Sequence, residues 1–163
     1  MSSSKTLGIK IAMEAIWWLI TFVVIWIVTA PMWAAYIKND YIYDSILNII
    51  IFITFTRYLF LLKYTWLAHV QAAKFIIIFS CLLLVFYLIQ QFFAYQDFVD
   101  KEGTALFMSY FRPDIQPTEW YRVMNYTTKE ISFFGVGAII ATIVLPFRLL
   151  VSFWRVYNDT GTV

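Results

Sequence analysis

Three charged residues stand inside otherwise apolar runs: Glu14, Arg57 and Arg148. An arginine at the middle of a membrane-spanning helix costs roughly 2.5–3.5 kcal/mol on insertion scales, and less near an end, so each of these charges calls for a partner. The flanking Lys10, Lys63 and Arg155 act as rulers for depth. At a rise of about 1.5 Å per residue, Glu14, Arg57 and Arg148 lie about 6, 9 and 10 Å inward. The spacing predicts one charged layer on one side of the membrane, with Glu14 and Arg57 paired across neighbouring helices. Gly137, Ala141, Val144 and Arg148 share one helix face, and small residues let helices approach, so Arg148 is expected on a packed face. Two readings follow. Arginines this near a helix end can simply snorkel to the headgroups, or pair for structural reasons. Alternatively, one acid facing two arginines leaves a net positive pocket for a lipid phosphate or a partner's carboxylate, or Glu14 serves proton or ion movement.

Other chemistry is sparse. The single His69 excludes a multi-histidine metal site or a bis-histidine haem built from one chain, and its setting fits a membrane interface. Cys81 has no second cysteine to pair with. Gln90 and Gln91 read as interfacial groups or interhelical hydrogen-bond donors. Asp44 and Asn48, one turn apart, could join Asp40 around a cation, although solvated capping is the simpler role. Asn125-Tyr126-Thr127 fits the short glycosylation pattern. There is no Gly-rich phosphate loop, and no serine or cysteine nucleophile with a nearby base. No catalytic residue, cofactor or metal is therefore assigned, and no nucleic-acid partner.

The elements that must position these residues follow from hydropathy. Of 163 residues, 62% are hydrophobic and 13% charged, against about 25% charged in soluble domains. Four runs approach the roughly 20 apolar residues that cross about 30 Å of hydrocarbon. They predict spans over 11–36, 43–62, 75–95 and 130–153. The first is too long, and too interrupted by Trp17, Trp18 and Trp26, for a signal peptide. A tight turn at 37–40 makes the first two helices antiparallel neighbours. The 96–128 segment is acidic and aromatic, and Gly103, Pro113 and Pro117 divide it. It reads as a partly ordered extramembrane loop whose Phe107, Tyr110, Phe111, Trp120 and Tyr121 are candidate partner contacts. Thr127 to Glu130 reads as a capping box opening the fourth helix.

The expected fold is an all-α, four-span, up-down bundle forming one membrane domain. Lys5, Lys10, Lys63, Lys74, Arg148 and Arg155 fall on one side, against Lys38, Lys101, Arg112, Arg122 and Lys129 on the other. With the long loop discounted, this places both termini in the cytoplasm, in a bacterial inner membrane. The leading function is a non-catalytic integral subunit packing against other subunits of a larger assembly (respiratory, secretion or transport). The alternatives are an oligomeric ion or proton transporter, and a lipid-binding protein or membrane enzyme.

Overall fold

The computed structural model describes residues 2–36, 40–68 and 70–158, apart from the side chains of 2–7, 10, 40–41, 68, 102–110 and 156. Four long helices carry the chain: α1 (Ser2–Ala35), α2 (Asp40–Leu61), α3 (Gln71–Tyr110) and α4 (Pro117–Tyr157). Each includes a stretch long and apolar enough to cross a membrane. Two 3₁₀ turns, Leu62–Tyr64 and Trp66–Ala68, join α2 to α3. Thr65 holds that corner by donating its hydroxyl to the Leu62 carbonyl at 2.8 Å.

Antiparallel succession is visible in the contacts. Glu14 near the start of α1 meets Arg57 near the end of α2. Lys74 at the start of α3 meets Ser152 at the end of α4. We call this the proximal end. At the distal end Tyr36, just past α1, reaches Thr127 of α4, and Ser45 of α2 reaches Glu130 of α4.

The packing of α3 on α4 follows a seven-residue period. Lys74, Cys81, Leu88 and Tyr95 are all buried, as are Ile131, Ala138, Leu145 and Ser152. Residues repeating every seven positions return to one helix face. The two series run opposite ways. Tyr95 shares a core cluster with Ile131, Leu88 with Ala138, and Cys81 with Leu145. Lys74 and Ser152 close the proximal end of the seam at 3.0 Å. Against α2, Gly137 permits the close approach: a Cβ there would stand 2.7 Å from Cδ2 of Phe52. That ring is also wedged edge-on against Phe133 and Phe134. By contrast α1 is peripheral. Only 6% of the residues in the apolar heart of its span are buried, against 33% in each of α2 and α4.

The expected 96–128 loop is corrected. Helix α3 runs on through Tyr110 and α4 begins at Pro117, leaving only 111–116 as connection. A polar sequence ends a hydropathy run without ending a helix. The Asp97–Lys101 pair, one turn apart at 2.8 Å, lies on the extension itself. The prolines set the real limits. Pro113 lacks an N–H and disfavours a helical residue before it, and Pro117 stands where α4's first turn has no carbonyl for its missing N–H. At about 1.5 Å per residue, the 40 residues of α3 and 41 of α4 reach roughly 60 Å each. That is about twice the hydrocarbon thickness, so the two form a helical hairpin longer than any span requires. The connection folds back on α1, where the Arg112 N–H donates to the Ala35 carbonyl at 3.1 Å.

Candidate functional site

The Glu14–Arg57 ion pair is present, bridging α1 and α2 at the proximal end. Arg57 is buried, and its guanidinium carbon lies 5.7 Å from the Trp17 ring centroid and 5.4 Å from that of Tyr58. Two aromatic faces and one carboxylate thus answer the charge. The sequence places Trp17 one helical turn beyond Glu14, so α1 presents both groups to the same arginine.

Arg148 takes a different partner. Its Nε donates to the Leu59 carbonyl at 3.2 Å. Leu59 lies in the last turn of α2, whose carbonyls have no intrahelical N–H to accept. Arg148 therefore caps α2 from α4. The stripe leading to it holds only in part: Ala141 is buried and Gly137 meets Phe52, while Val144 is exposed. Beside Arg57 a half-open cleft of about 280 Å³ is lined by Met13, Trp17, Leu61, Tyr64 and Thr65.

Sequence reasoning missed two buried polar positions. Lys74, which the charge count places near a helix end on one side of the membrane, is fully buried and donates to Ser152. The seven-residue repeat through Cys81, Leu88 and Tyr95 is the signal that places it on the packed face. Glu130 was read as half of a capping box, but α4 begins at Pro117, so Thr127 and Glu130 are interior to it. The Thr127 hydroxyl donates to its own helix at the Val123 carbonyl (3.0 Å) and accepts from Tyr36 (3.0 Å). Glu130 is buried and accepts from Ser45 through Oε2, while Oε1 has no partner. Asn48, one turn along α2 from Ser45, is buried with Oδ1 unpartnered, and Gln91 on α3 has both amide atoms buried and unpartnered.

The proposed contact loop divides. Phe111 and Trp120 are buried in the distal core, their rings 5.9 Å apart, with Tyr36 stacked 4.4 Å from Phe111. They are core residues rather than partner contacts, because their rings fill the space between α1, α4 and the connection. Tyr121 is exposed. The side chains of Phe107 and Tyr110 lie outside the described residues, as does His69. Asn125 is exposed, but Thr127 of the glycosylation pattern is buried and engaged on both sides. No cluster of three or more His, Cys, Asp or Glu suited to a metal ion occurs among the described residues.

Chemically, the proximal layer neutralises and anchors, and the distal cluster offers buried oxygens. Between them lie apolar layers, first Ile51, Leu88 and Ala138, then Cys81, Leu145 and Leu149. Comparison with protein-family models, characterised proteins and solved structures gave no match for this chain.

Proposed function

We propose that the chain is an integral membrane subunit without catalytic chemistry of its own, packed against other membrane proteins through α1. In this reading the helices cross a bacterial inner membrane as an up-down bundle, with the proximal end and both termini cytoplasmic. One observation carries it: α1 leaves its aromatic side uncovered at mid-span. Trp26 is 75% exposed, and Trp18, Phe22 and Val23 are exposed with it. Tryptophan favours the headgroup level, where its N–H meets water, over the hydrocarbon middle. It is also among the residues most enriched at the energetic centres of protein interfaces. A neighbouring protein helix accounts for both the exposure and the residue type. The apolar layers between the polar ends weigh against a conduction path through a single bundle.

Extraction in a mild detergent followed by native mass measurement tests the proposal. A partner in fixed ratio is expected, lost or weakened in Trp26→Ala while helix content stays unchanged. A homogeneous lone monomer from wild-type membranes would contradict it.

A further inference from the structure

The distal cluster carries an imbalance that the packing reading does not use. Glu130 Oε1 and Asn48 Oδ1 are buried acceptors without donors, Gln91 of α3 has its amide oxygen and nitrogen both buried and unpartnered, and Trp120 Nε1 is a buried donor without an acceptor. The Ser45 hydroxyl donates to Glu130 Oε2. An ionised carboxylate removed from water requires donors or an opposite charge for both oxygens. The Arg57–Glu14 and Lys101–Asp97 ion pairs lie elsewhere.

Among the described residues, no cation is placed against Glu130. From α2 come Ser45 and Asn48, with Asp44 next to Ser45 in the chain. Tyr36, at the end of α1, is committed to Thr127, and Tyr95 of α3 to Thr128 at 3.1 Å. Tyr95 and Tyr126 are within electrostatic reach of Glu130, and Tyr126 donates to the Val28 carbonyl of α1 at 2.8 Å. Lys129 precedes it but is exposed. A surplus of buried acceptors is relieved by any occupant that brings a donor. The smallest is a proton, which needs no cavity and turns one acceptor oxygen into a donor.

We propose that Glu130 is a proton-binding site: a neutral carboxylic acid on α4, buried against α2, accepting from Ser45 through one oxygen and carrying its proton on the other. Its exchange with water runs to the distal side, because the two apolar layers close the way to the proximal end.

Infrared spectroscopy of the full chain in lipid vesicles at neutral pH tests this. Wild type is expected to show the carbonyl stretch of an un-ionised acid. The band should vanish in Glu130→Gln, persist in Glu14→Gln, and change frequency in Ser45→Ala as the carboxyl loses its donor. Should Glu130→Gln fail to fold, the Ser45→Ala shift and the loss of the wild-type band at alkaline pH identify the group. Absence of any un-ionised band in wild type would overturn the proposal. A Glu130 carboxylate band that moves when sodium replaces potassium would also overturn it, assigning the site to a metal cation.

Discussion

Arg57 shows how little a residue's type says until its neighbours are known. Removing one partner of a buried ion pair costs roughly 3–5 kcal/mol, while replacing both with apolar groups is often neutral or better. Glu14 keeps 18% of its side-chain surface exposed, so the low end of that range applies to Arg57→Met. Thermal unfolding in detergent should show Arg57→Met and Glu14→Gln each destabilised, and the double variant less so than their sum. Strict additivity would mean that the pair is not coupled. Lys74 gives the opposite expectation. It has Ser152 as its hydrogen-bond partner and, among the described residues, no acid within ion-pair distance. Lys74→Met should therefore be neutral or stabilising in the same measurement, and a loss beyond about 2 kcal/mol would contradict that account. The Glu14–Arg57 pair was legible beforehand, because depth along a helix is simple arithmetic from the flanking lysines. Lys74 and Glu130 were not. A lysine near a helix end reads as snorkelling, and an acid three residues after a threonine reads as a cap. Only the partner helix reveals that both are buried.

At the level of elements, the seven-residue seam between α3 and α4 and the α2–α4 contact at Gly137 hold the bundle. A Cβ at Gly137 must displace the Phe52 ring, which Phe133 and Phe134 already confine. Gly137→Ala should cost about 1–3 kcal/mol by overpacking, and Phe52→Leu should recover part of that loss. No recovery would mean the strain lies elsewhere. Helix identity was readable from hydropathy, as were the end of α1 and the limits of α2 to within a few residues, but the end of α3 and the start of α4 were not. Hydropathy marks where lipid ends, whereas helices end where the backbone must, and here Pro113 and Pro117 decide. Hydrogen exchange checks the point: amides of 96–101 and 118–128 should be protected while Asp114 and Gln116 exchange quickly. Uniformly fast exchange across 96–128 would restore the loop.

For the whole molecule, three helices share a core and the fourth borders it. Helix α1 is pinned at its ends, by Glu14 to Arg57 and by Ala35 to Arg112, and exposes aromatic side chains between. Helix association in lipid has no hydrophobic drive of its own and depends on packing contacts, and the proposed subunit contact rests on this uncovered face. The most direct measurement places a photo-crosslinking amino acid at position 26, on the outer face, and at position 21, where Thr21 is buried, in native membranes. We expect one discrete protein adduct from position 26 and no intermolecular adduct from position 21. Lipid adducts alone from position 26 would contradict the subunit reading.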